Sequence, residues 1–211
     1  MGIPILLMGE SGTGKSTSIT NFDPETIGVI NVMGKPLPTS KKFKQKKTRS
    51  LEEIRQTLRA SNAKTIIVDD FGYTITNIYM RGSWGQERYR DQFEVYKEIA
   101  GEVWRTINTV TDELDDDTLV VFVMHSTREN GELIPSTIGK LLNEKINLVG
   151  MFTITILSAI VDGDYRFIVN GTPPTKTPPG MFEADTVPND LSIVDKAVRN
   201  YWGMASLAGD E

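Results

Sequence analysis

The segment Gly9-Glu10-Ser11-Gly12-Thr13-Gly14-Lys15-Ser16 constrains this chain more than any other stretch. It has the spacing G-x-x-x-x-G-K-[ST], follows an apolar run from Ile3 to Met8, and precedes residues with a helix-start pattern. Glycines at these places let successive backbone N–H groups turn inward around an anion, where side chains would block the approach. A lysine at the seventh place reaches the outer phosphates of a nucleotide, and the serine hydroxyl after it is a ligand for Mg²⁺. A helix starting there points its positive end at the same anion. Strand, loop and helix is the context this P-loop motif requires, so residues Gly9 to Thr17 are expected to hold the phosphates of ATP.

The rest of the chain repeats the alternation. Short apolar runs at Ile27 to Val32, Thr65 to Asp70 and Leu119 to Met124 read as buried strands. A short helix is expected from Lys15 to Asn21, stopped near Pro24. Ser50-Leu-Glu-Glu53 carries the S-x-x-E capping pattern and opens a helix to about Ala60. Asp91 to Leu114 is predicted as the longest helix, with Phe93, Tyr96, Ile99, Ala100, Val103, Ile107, Val110 and Leu114 along one stripe. Ser136 to Glu144 reads as a further short helix. Met151 to Val161 and Tyr165 to Val169 flank Asp162-Gly163-Asp164, a hairpin signal. Leu191 to Tyr201 reads as the last helix. The fold class is therefore α/β, a mainly parallel sheet with an antiparallel hairpin near its end. Residues 1–203 are expected as a single domain and 204–211 as a frayed tail.

Composition narrows the chemistry. The 211 residues contain no cysteine and one histidine, His125, which excludes disulfides, thiolate metal sites and histidine-rich centres. A net charge of -5 argues against a surface that coats nucleic acid as a whole, although a local basic groove is compatible with it. The first residues lack the basic, apolar pattern of a leader or span, so a cytoplasmic protein without membrane attachment is expected.

Several residues outside the loop are candidates for chemistry. Asp69 ends a buried strand, the edge where open α/β sheets bind ligands, and is expected to hold Mg²⁺ with Ser16. Asp70 is either a water-activating base or a turn residue. His125 follows another buried strand and either senses the outer phosphate or is structural. Lys176, in a proline-stiffened loop, either reaches a neighbouring subunit's phosphate or is solvated. Lys41, Lys42, Lys44, Lys46, Lys47 and Arg49 form a basic run without an acid. Tyr79, Arg81, Trp84, Arg88, Tyr89 and Arg90 interleave rings and cations in what reads as a glycine-containing loop. Cations for phosphates and flat rings for bases are what single-stranded DNA binding needs, and the alternatives are a solvated loop and a packed lid.

The order of these signals, with His125 closing its strand and Thr175-Lys-Thr-Pro-Pro-Gly-Met-Phe182 after the hairpin, resembles the phage-encoded RecA-like AAA-type ATP-binding proteins, the single-strand-annealing recombination ATPase family. The resemblance spans Ile3 to about Tyr201. It implies a RecA-like core, ATP hydrolysis, homo-oligomerisation, and action on single-stranded DNA with other phage recombination or replication proteins. By position it gives Lys15 and Ser16 phosphate and Mg²⁺, Asp69 the metal, and His125 the sensor place. It also places a DNA-binding loop at Ser126 to Lys140, including Arg128. The chain departs from the family at its second strand, where Ile30-Asn-Val-Met-Gly34 stands in place of a catalytic glutamate; Glu10 or Asp70 is the substitute to consider. Two other classes stay open. One is a small nucleotide kinase, with Arg81, Arg88 and Arg90 as a lid. The other is a nucleotide-dependent assembly module with little turnover.

Overall fold

Strands β1 (Ile3–Gly9), β2 (Ile27–Asn31), β4 (Thr65–Asp69), β7 (Ile154–Val161) and the first part of β5 (Leu119–Glu129) are rich in buried apolar side chains because both faces of the sheet are covered there. The computed structural model describes residues 1–84, 92–129, 131–138, 146–171 and 173–207. Among these, nine strands form one mixed, mostly parallel α/β sheet. Its order is β3-β2-β4-β5-β1-β7-β8-β9, with β3 at Gln45–Lys47, β8 at Asp164–Ile168 and β9 at Thr186–Pro188; β6 (Glu132–Pro135) pairs with β5 alone. The strands from β3 to β7 run parallel, and β6, β8 and β9 are antiparallel to their neighbours.

One face is covered by α1 (Leu51–Ala60), α2 (Gly72–Trp84) and α3 (Gln92–Glu113), which bury Ile54, Leu58, Ile75, Ile99, Val103 and Ile107. Ser50 caps α1 by accepting a hydrogen bond from the Glu53 backbone N–H, as its S-x-x-E pattern predicts. The buried Arg55 of α1 is held by Glu52 of its own helix and by Glu102 and Thr106 of α3. The opposite face is covered by α4 (Leu191–Trp202), with Leu191, Val194 and Val198 inward, and by a 3₁₀ turn at Thr17–Ile19. Arg199 is 1% exposed and fastens α4 to the sheet. It donates to Asp195, Thr65 and the carbonyls of Lys64, Asp117 and Ala205.

Several expectations are corrected. The helix predicted from Lys15 to Asn21 is only the 3₁₀ turn, because the Ser18 and Thr20 hydroxyls bond the carbonyls of Lys15 and Thr17 and compete with helical geometry. The basic run is not all loop, since Gln45–Lys47 adds an edge strand to β2. Tyr79, Arg81 and Trp84 lie on α2, not in a loop. Strand β5 does not stop at Met124 but continues to Glu129 and turns back through β6, so His125 lies within the strand. Residues 136–138 are not helical, and the remainder of the predicted helix lies outside the described residues. After Gly203 the chain stays held: Met204 N donates to Arg199 O, and Leu207 is buried. Residues 208–211 lie outside the described residues. No helix among the described residues is long and apolar enough to cross a membrane.

Candidate functional site

The carboxyl ends of β1 and β4 converge on the middle of β5, and parallel pairing sets Gly9 level with His125. Between β1 and the 3₁₀ turn the loop bends at Gly12 and Gly14, whose φ values of 82° and 89° lie in the left-handed region that favours glycine. A Cβ on Gly12 would meet nothing within 4 Å, so that stretch faces open space. A Cβ on Gly9 would stand 2.5 Å from the Ser158 carbonyl oxygen and 2.8 Å from Thr13 Oγ1, which excludes any side chain there.

Lys15 is buried beneath the loop, its Nζ donating to the carbonyls of Gly9 at 2.9 Å and Glu10 at 2.7 Å. Burial lowers its pKa, opposed by the carboxylates of Asp70 and Asp69. The Ser16 hydroxyl donates to Asp69 Oδ1 at 2.9 Å, across 53 residues of sequence. Burial and the neighbouring Asp70 push the Asp69 pKa up to about 6, against the stabilising hydrogen bond from Ser16. A buried carboxylate that resists its own charge, touching a hydroxyl, is the donor set a hard cation takes up. Mg²⁺ keeps several waters and takes phosphate oxygens beside one or two protein ligands, so Ser16 and Asp69 fit it.

Asp70 adopts a left-handed backbone, φ 62°, at the strand end. Its Oδ1 lies 3.4 Å from His125 Nε2. The Tyr73 ring stands edge-on to His125, at 5.8 Å between centroids, with the Lys35 ammonium 5.8 Å from the Tyr73 centroid. At the loop's outer side Glu10 faces Arg128 of β5, Nε to Oε1 3.5 Å. Ser11 and Thr17 are exposed at the rim.

The structure thus gathers Gly9 to Thr17, Asp69, Asp70, His125 and Arg128 at one sheet edge. It places other candidates elsewhere. Lys176 bridges to Thr155, and its Nζ donates to Phe152 O at 2.7 Å, toward the amino-terminal end of β7 and away from the loop. Lys41 donates to Phe22 O and Lys46 faces Glu53, while Lys42, Lys44, Lys47 and Arg49 are exposed along the β3 edge. Lys140, Arg88, Tyr89 and Arg90 lie outside the described residues. Asn31, at the end of the second strand, is a loop holder. Its Nδ2 donates to Lys35 O and Gln45 Oε1, and its Oδ1 accepts from Gly34 N.

Sequence reasoning missed the braces of the loop. Ser158 Oγ donates to Thr13 O at 2.6 Å, and Asn189 Nδ2 donates to Thr13 O at 3.1 Å and to Ser158 Oγ at 3.0 Å. Ser158 had a signal, a hydroxyl in the inward series of Ile154 and Ile156. Asn189 had none. No protein-family model matches the chain and no curated protein is found similar to it.

Proposed function

We propose that this chain is a P-loop ATPase with a RecA-like core that binds and hydrolyses ATP with Mg²⁺ and acts on single-stranded DNA in phage recombination or replication. The observation that carries the reading is the Ser16 hydroxyl on the Asp69 carboxylate at 2.9 Å, beside a Lys15 whose ammonium donates to the loop carbonyls of Gly9 and Glu10. In this reading the loop N–H groups hold the phosphate chain, Lys15 moves to the outer phosphates, and Ser16 and Asp69 hold Mg²⁺. Bound Mg²⁺ supplies charge neutralisation of the phosphates. Asp70 takes the proton of the attacking water while His125 orients the Asp70 carboxylate.

The RecA-like part draws on β5, with His125, lying between β1 and β4. The DNA part draws on the exposed cations of the β3 edge and on Arg128 beside the loop. Assembly with further copies of the chain completes the proposal. A second reading, nucleotide-dependent assembly with little turnover, is favoured by Asn31 standing in the glutamate's place with its amide fully engaged.

One experiment separates them: phosphate release with and without single-stranded DNA, run beside light scattering with ATP. DNA-stimulated release that Lys15→Ala abolishes supports the ATPase. A shift in mass with ATP but no release supports the assembly module, and equal release with and without DNA removes the DNA part.

A further inference from the structure

The β7–β8 hairpin does more than cover the loop. Ile160 and Tyr165 are directly opposite in its register, so their side chains share a face. That face also carries Ser158, whose hydroxyl braces Thr13, and the buried Phe167. Phe167 is covered, yet Ile160 and Tyr165 are each 54% exposed. The turn between them, Asp162-Gly163, has φ values of 54° and 89°, the two left-handed residues of a tight hairpin, so the pair is held on a short, stiff element.

Tyr165 borders the loop. A Cβ on Gly14 would lie 3.1 Å from Tyr165 Cδ1 and 3.1 Å from the Asn189 amide. Asn189 N donates to Tyr165 O at 3.3 Å while its side chain donates to Thr13 O, which joins the ring's backbone to the loop's. Among the described residues the other exposed rings, Trp104, Tyr201 and Trp202, sit on α3 and at the end of α4. A nucleoside triphosphate presents a phosphate chain and a flat, largely apolar base. The loop provides N–H groups for the first, and a flat half-exposed ring beside an aliphatic side chain suits the second.

We propose that Tyr165, backed by Ile160, is the platform on which the nucleotide's base packs, so that the hairpin makes the site select a nucleoside triphosphate over a bare phosphate chain. This rests on the nucleotide-binding reading above. Because Tyr165 is exposed, its replacement leaves the core intact. Calorimetric titration with Mg²⁺ compares ATP with inorganic tripolyphosphate on the wild type, Tyr165→Ala, Tyr165→Phe and Ile160→Thr. The expected result is about tenfold weaker ATP binding in Tyr165→Ala, a smaller loss in Ile160→Thr, little change in Tyr165→Phe, and unchanged tripolyphosphate binding throughout. Equal losses for both ligands, or undiminished ATP binding by Tyr165→Ala, overturn the platform. A wild type that holds tripolyphosphate as tightly as ATP overturns the platform and leaves phosphate binding standing. A wild type that binds neither removes the nucleotide reading itself.

Discussion

Asp69 carries a charge at neutral pH that its surroundings oppose. Its pKa is raised to about 6 from the ordinary 3.8, first by burial and then by Asp70. Between those values the folded chain keeps a proton that the unfolded chain releases, so this group's contribution to stability is largest at the acid end and falls as pH rises to 6. The full effect is at most about 3 kcal/mol. Glu52 and Glu113 are shifted downward by arginine partners, and Glu102 too, where Arg55 and Arg105 outweigh its burial; all three act in the opposite sense, so the effect is read as a difference between variants. Asp69→Asn is expected to raise the urea midpoint at pH 7 and to lose the destabilisation that the wild type gains from pH 4 to 6. Parallel pH profiles for the two proteins would contradict this. The same substitution removes a ligand for Mg²⁺, so greater stability and weaker nucleotide binding are expected together.

Elements meet the loop most tightly where β1 passes β7. Gly9 lies against the Ser158 backbone, and a methyl group at 2.5 Å cannot be accommodated by rotating a side chain. Gly9→Ala is expected to cost about 1–3 kcal/mol in denaturant unfolding and to weaken phosphate binding, because the strand must move with its loop. A wild-type midpoint would show that β1 and β7 can separate freely. Elements whose cause is local were legible in the sequence: the Ser50 cap, the α3 stripe and the Asp162-Gly163 turn are each set by a few neighbouring residues. Strand β3 was not, because its three residues are all exposed and have no inward series; only the neighbouring β2 makes them a strand. The site divides in the same way. Lys15, Asp69 and His125 follow buried apolar runs and announce themselves. Ser158 and Asn189 reach Thr13 from 145 and 176 residues away, a distance over which spacing carries no information.

Across the whole molecule, a net charge of -5 coexists with exposed Lys42, Lys44, Lys47 and Arg49 along one sheet edge. Replacing these four with glutamine is expected to weaken oligonucleotide binding and to flatten its dependence on salt, with the DNA-free phosphate release unchanged. Unaltered affinity and salt slope would remove this edge from the proposed DNA path. The buried Arg199 has a consequence of another kind. Its partners are Lys64, Thr65, Asp117, Asp195 and Ala205, so they come from the segments that lead into β4 and β5, from the last helix itself and from the residues after it. While the chain grows on the ribosome, β1, β4 and β5 can pair long before this guanidinium emerges from the exit tunnel. Until it does, the apolar face later covered by α4 stays open, and exposed surface of that kind is prone to aggregate.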